Sequence, residues 1–195
     1  LLENFFIRLL RGSGLKGLIS LDTKNKIGSK NLLRPLLNQN KEDLEYISKK
    51  VFNFYVNDPT NKDEKYLRIR IRKLISGLQK NGLDKNKFFK TIKNLKDSNF
   101  IVDFYVKQNL FNNTFFSIED NQLMLNKNFF QQPNEIIFRA FSESIKLVSK
   151  RYYPVRGKKL VRIINNIKND EFFKVTLGGC IIKKVNQTII ISKEQ

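Results

Sequence analysis

The stretch ENFFIRLLRGSGLKGL, residues 3 to 18, decides how the first part of the chain folds. Leu2, Phe5, Phe6, Leu9 and Leu10 recur at helical spacing, and the pattern stops at Gly12 and Gly14. This predicts a helix over residues 1 to 11 closed by a glycine turn. Glu3 and Arg11 stand eight residues apart, so on a helix their directions differ by about 80° and their heights by about 12 Å. They can line one edge of a site without touching. The glycines let backbone approach a ligand, and a guanidinium at the turn can meet a phosphate or a carboxylate. A plain structural helix end has the same pattern, so the residues alone leave both readings open.

Working outward, residues 19 to 33 read as a loop with an edge strand, and Arg34-Pro35 stops any helix that would run through. Residues 41 to 54 read as a helix with Leu44, Ile47, Val51 and Phe54 on one face. DPTNKDEKY, residues 58 to 66, is turn chemistry, with Thr60 or Asn61 placed to cap the next helix. YLRIRIRKLISGL, residues 66 to 78, alternates like a strand but also sets Leu67, Ile71, Leu74 and Leu78 at helical spacing after that cap, which favours a helix. Asn81-Gly82 breaks it and marks a boundary between domains at residues 1 to 80 and 81 to 195.

Beyond the boundary, residues 85 to 110 are mostly helical in pattern, and short strands at 115 to 118 and 123 to 125 can pair across Asp120-Asn121. Pro133 opens a helix over 134 to 150, a further helix covers 158 to 167, and β-rich runs at 172 to 177, 180 to 185 and 187 to 192 predict a terminal β-meander.

The net charge of +19 over 195 residues, with a pI near 10, favours a polyanionic partner, because phosphate contacts release condensed counterions. Overuse of Lys, Asn, Ile and Phe also fits a genome rich in A and T codons. The clustering favours function: residues 62 to 96 hold 12 Lys or Arg and few acids. Arg68, Arg70 and Arg72 repel one another unless anions or acids neutralise them. On a helix Arg68 and Arg72 share a face while Arg70 points elsewhere, and Lys73 extends the basic run. The bland alternative is a solvated face paired with Asp58, Asp63 and Glu64.

A single cysteine, Cys180, and the absence of His exclude an internal disulfide, a cysteine-rich metal site and the commonest general base. A reducing cytoplasm fits this composition. LLENFFIRLL is too short and too charged for a membrane span. There is no GxxxxGK phosphate loop, and no nucleophile stands with its base, so these residues do not assemble a complete active site. The chain opens on Leu in the middle of an amphipathic pattern, which reads as a fragment.

The ordered set of motifs resembles the tRNA(Ile)-lysidine synthetase family of the PP-loop superfamily. ENFFIRLLRGSGLKGL is similar to the family stretch in which a Glu opens a helix ending in Arg-Gly-Ser/Thr-Gly; RPLL at 34 to 37, DPTN at 58 to 61 and RIRIR at 68 to 72 follow in the family's order. RYYPVRGKKL at 151 to 160 and TLGGC at 176 to 180 resemble the second domain in its α-proteobacterial form. Ile69 stands where the family usually has Asn, and Asn4 where it has Thr. The Ser-Gly-Gly-x-Asp-Ser loop that binds ATP phosphates in the family is absent from these residues.

The resemblance implies an α/β fold, the C-terminal part of an adenine-nucleotide alpha hydrolase-like PP-loop domain, followed by a mainly α-helical tRNA-contacting domain ending in a β-meander. It implies ATP-dependent ligation of L-lysine to C2 of the wobble cytidine of a tRNA(Ile) with a CAU anticodon, through an adenylated intermediate, changing decoding from AUG to AUA. ATP would be a substrate, with Mg²⁺ bound by residues outside the chain, and the fragment alone would be inactive. Glu3 would orient the lysine ammonium, Arg11 and Gly12 would contact the adenylate, and Arg68, Arg70, Arg72 and Lys73 would hold tRNA. No membrane is implied, and a homodimer is left open. Rival readings are a non-catalytic basic RNA-binding module and a related PP-loop enzyme, such as a tRNA thiolase, whose chemistry generally leans on cysteines.

Overall fold

The computed structural model describes residues 1 to 19, 21 to 27, 30 to 56, 63 to 151, 155 to 169, 171 and 174 to 194. They form two compact units, Leu1–Asn99 and Phe100–Gln195. An α/β opening, a helical middle and a C-terminal antiparallel sheet follow in chain order.

The first unit begins with α1 (Leu2–Leu10). Its end is a Schellman turn: Ser13 N–H donates to the Arg8 carbonyl at 3.0 Å and Gly12 N–H to the Leu9 carbonyl at 2.9 Å. Gly12 has a φ of +67°, which accounts for glycine at that position. A single turn, α2 (Leu15–Leu18), follows. The loop and edge strand expected over 19 to 33 are instead a hairpin of β1 (Lys24–Ile27) and β2 (Lys30–Leu33). The RPLL segment forms a 3-10 turn at Pro35–Asn38 and leads to α3 (Lys41–Phe52), which ends where Asn53 turns left-handed.

The helix at the arginine triplet is α4 (Leu67–Lys80). Its cap position is Tyr66; Thr60 and Asn61, with the rest of DPTN, lie outside the described residues. The buried side chains are Ile69, Ile71 and Ile75, whereas Leu74 of the expected face is exposed. At about 100° per residue, Arg68 and Arg72 project between Ile69 on one side and Ile71 with Ile75 on the other. The face turned toward α1 is therefore centred on two arginines, a placement that apolar spacing alone does not predict. Phe5 meets Phe88 of α5 (Lys85–Asn113) edge to face at 5.0 Å, and Ile92 is buried nearby in the chain. The expected break at Asn81-Gly82 is the turn ending α4; the two units part later, within α5.

The second unit contains β3 (Thr114–Ser117), β4 (Gln122–Leu125), a 3-10 turn at Lys127–Gln131, α6 (Asn134–Ser149), α7 (Gly157–Lys168), β5 (Lys174–Leu177), β6 (Cys180–Val185) and β7 (Thr188–Lys193). The expected hairpin and meander are one antiparallel sheet of order β3-β4-β7-β6-β5, because β4 pairs with β7 in the register Gln122↔Ser192. Leu123, Leu125, Cys180, Ile182, Ile189 and Ile191 alternate onto its buried face. That face packs in one cluster with Ile137, Phe141, Ile145 and Val148 of α6 and Leu160, Ile163, Ile164 and Ile167 of α7.

Two motifs that the sequence separates meet here. Gly178 and Gly179, with φ of +67° and +78°, form the two-residue turn between β5 and β6. A Cβ on Gly178 would stand 2.5 Å from Val155 Cγ1, and one on Gly179 would stand 2.9 Å from the Arg151 guanidinium. RYYPVRG and TLGGC are thus packing partners through Arg151 and Val155, and their glycines leave no room for side chains.

Candidate functional site

The α1 and α4 helices bring the predicted residues of the first unit together. Arg72 Nε donates to Glu3 Oε1 at 2.7 Å, and Arg68 Nε stands 3.8 Å from Glu3 Oε2. The neutralising acid for the arginines is Glu3, sixty-nine residues from Arg72 in sequence, instead of a local carboxylate. Lys73 pairs with Glu64, and the Asp63 carboxylate accepts from the Lys65 amide at 2.9 Å; Asp58 lies outside the described residues. An arginine clamp on one carboxylate leaves most guanidinium donors available, because five N–H groups per arginine exceed what one carboxylate accepts.

Arg68 and Arg72 line a cleft of about 480 Å³ together with Asn4, Ile7, Arg11, Tyr66, Leu67 and Ile69. Arg11 joins Arg68 and Arg72 there, whereas Arg70 is exposed and is not among the described residues lining the cleft. Gly12 closes α1 beside Arg11 and does not line the cleft either. A second, larger cleft of about 810 Å³ shares Asn4 and Arg68 with the first, and adds Glu3, Glu42, Lys85, Lys93 and Lys96.

Three supports were not visible as such in the sequence. Arg8 donates from Nη1 to the Gly17 carbonyl at 2.8 Å, tying the glycine turn back onto α1. Arg34 of RPLL donates to the Asp22 carbonyl at 3.1 Å and to the Asn25 side chain, fixing the base of the hairpin. Lys96 donates to Asp22 Oδ2 at 2.8 Å, and that hydrogen bond holds the Asp22 carboxyl below its ordinary range. A basic residue pointing at a carbonyl carries no local sequence signal, so only the tertiary arrangement reveals these roles.

Among the described residues no group of three or more His, Cys, Asp or Glu could hold a metal ion. Cys180 is fully buried, with Sγ 3.6 Å from the Ile145 carbonyl, and burial pushes its thiol pKa up, as befits a structural cysteine. No helix of the described residues is long and apolar enough to cross a membrane.

A helix ended by a glycine turn, with an arginine-bearing helix clamped against it by one glutamate, is set in a region that matches a known domain: residues 1–78 match the family model for the PP-loop domain. The first unit therefore places the chain in the PP-loop class. Nearly the whole chain is similar to proteins named tRNA(Ile)-lysidine synthase. It is 30% identical over 98% of its length to one from Wolbachia pipientis wMel and 31% over 98% to one from the Wolbachia of Brugia malayi. It is 32% identical over 100% of its length to one from Orientia tsutsugamushi. Over nearly its whole length the chain is thus similar to members of the tRNA(Ile)-lysidine synthase family. It spans 45% of the length of each of these relatives.

Proposed function

We propose that the chain serves a cytoplasmic, ATP-dependent enzyme that joins L-lysine to the wobble cytidine of a tRNA(Ile). The observation that carries this reading is the convergence of Arg11, Arg68 and Arg72 on one cleft behind Glu3, in a region of PP-loop sequence. In the first step the C2 oxygen of the cytidine attacks the α-phosphorus of ATP and pyrophosphate leaves. In the second the amine of lysine attacks C2, the C2–O bond breaks, AMP leaves and the amine gives up a proton. Both steps gather negative charge on phosphoryl groups, which fixed guanidinium donors stabilise without reorganising.

Arg11, Arg68 and Arg72 are assigned to phosphate oxygens of the adenylate or of the neighbouring tRNA backbone. Arg70 and Lys73, on other parts of the same exposed helix, are assigned to tRNA phosphates farther from the reacting centre. Glu3 is assigned to the lysine ammonium, which would share its carboxylate with Arg72. Gly12 acts through the turn that sets Arg11 at the end of α1.

The test supplies the complete gene product with a tRNA(Ile) bearing CAU, lysine and ATP, followed by mass spectrometry of the wobble nucleoside. Formation of lysidine with release of AMP and pyrophosphate is expected. An unmodified cytidine, or sulfur in place of lysine, would overturn the reading. Glu3→Gln separates two roles for that residue. A raised KM for lysine with unchanged tRNA affinity fits lysine binding, whereas weakened tRNA binding alone means that Glu3 only positions Arg68 and Arg72.

A further inference from the structure

The second unit carries a basic cleft that the reaction above does not use. The 3-10 turn at Lys127–Gln131, the end of α7 and the turn between β6 and β7 enclose about 620 Å³. Lys127, Lys168 and Lys184 line it together with the side-chain amides of Gln131, Asn186 and Gln187, and none of the described lining residues is acidic. Like charges on one concave surface repel one another and concentrate counter-anions.

The placement of Lys184 is the unusual feature. Along β6 the core-facing row runs Cys180, Ile182, Lys184, opposite Ile189 of the adjacent strand. β6 lies inside the sheet, between β7 and β5, and an apolar residue would ordinarily fill that position. A lysine there lays its stem along apolar neighbours and carries its ammonium to the edge of the core. That edge is the cleft, where Ile167 and Ile189 line the wall. Lys168, the last residue of α7, is steadied at 2.7 Å from Asn134 Oδ1. Asn186 is held left-handed at φ +54° in the hairpin turn that also presents Gln187. Cations and amide donors from three separate elements, one of them built into the core row, match the oxygens of a phosphate group.

We propose that this cleft binds a phosphate ester. The chemistry is common to a backbone phosphate of RNA and to a free nucleotide; the tRNA reading above bears only on which of the two is expected, RNA, and the cleft stands apart from the ligation chemistry. The test uses the intact chain and Lys127→Gln/Lys168→Gln, a pair of exposed positions whose replacement spares the core, with Lys158→Gln/Lys174→Gln as an equally charged change outside the cleft. Binding of a fluorescein-labelled RNA hairpin is followed by anisotropy across a salt series, and binding of AMP by calorimetry.

The expected result is a fall of about tenfold in RNA affinity for the cleft pair, with the slope of log K against log salt smaller in magnitude by about 1.5, and little change for the control pair. AMP binding that is lost in the cleft pair while RNA binding is unmoved supports the site with a nucleotide as its ligand. Equal losses in both pairs would reduce the cleft to diffuse charge and overturn the proposal, as would no loss with either probe. A cleft effect in the chain, together with a complete gene product that forms no lysidine, overturns the ligase reading and leaves this site standing.

Discussion

In the first unit the buried apolar side chains among the described residues are Ile69, Ile71, Ile75, Phe88 and Ile92, and the α4 face between them carries Arg68 and Arg72. The second unit encloses Phe129, Phe141, Ile137, Ile145, Leu160, Ile182 and Ile191 in one cluster of sheet and helices. Leu33, Leu36, Val51, Phe52 and Phe54 remain exposed in the first unit. The difference separates a region with few buried apolar side chains, whose α4 carries exposed arginines clamped by Glu3, from one whose packed face is apolar almost throughout. Exposed guanidinium groups held by an ion pair supply preorganised donors, an arrangement expected where a ligand is bound.

The largest test of this contrast is Phe141→Ala, which empties the centre of the second unit. Its expected cost is about 3–5 kcal/mol in denaturant titration. A loss below about 1 kcal/mol would mean that the cluster is not the cooperative core described. Next in size, amide exchange should be slowest in β6 and β7 and at least tenfold faster in α3, none of whose residues is buried; equal protection would erase the distinction between the units. Cys180 should stay unreactive toward a disulfide reagent at pH 8 until the second unit unfolds, since burial favours its protonated thiol. Rapid labelling of the folded chain would contradict the packing of β6 on α6.

The smallest effect belongs to the surface of the first unit. Asp22 has its carboxyl pKa depressed by the hydrogen bond from Lys96, so the contribution of the pair is present above the ordinary carboxylate range and is lost as pH falls through the depressed value. The difference in melting temperature between the wild type and Asp22→Asn should be constant above the ordinary carboxylate range and shrink as pH falls through the depressed value. A difference that does not change with pH would remove the ion pair from the account.

Much of this was legible in local pattern. Glycines after Leu10, Pro133 before α6 and alternation in β6 each declare an element because the cause lies within a few residues. The arginine triplet announced charge in need of partners, and the separation of Arg70 from Arg68 and Arg72 followed from helix geometry. What stayed hidden was long-range. Glu3 as the acid for Arg72, Lys96 on Asp22, the pairing of β4 with β7 and the seating of Val155 against Gly178 all join residues far apart in sequence. The α4 face was misread for the same reason: spacing marks apolar residues, and an exposed arginine pair clamped by a distant glutamate leaves no mark on the spacing.

The claim that the guanidinium cleft exists to hold a polyanion is tested most directly by the salt dependence of tRNA(Ile) binding to Arg68→Ala/Arg72→Ala in the complete gene product. Weaker binding is predicted, with the log–log slope reduced in magnitude by about 1.5–2 and the melting of the protein nearly unchanged. Affinity and slope equal to the wild type would show that these arginines serve Glu3 and the fold alone.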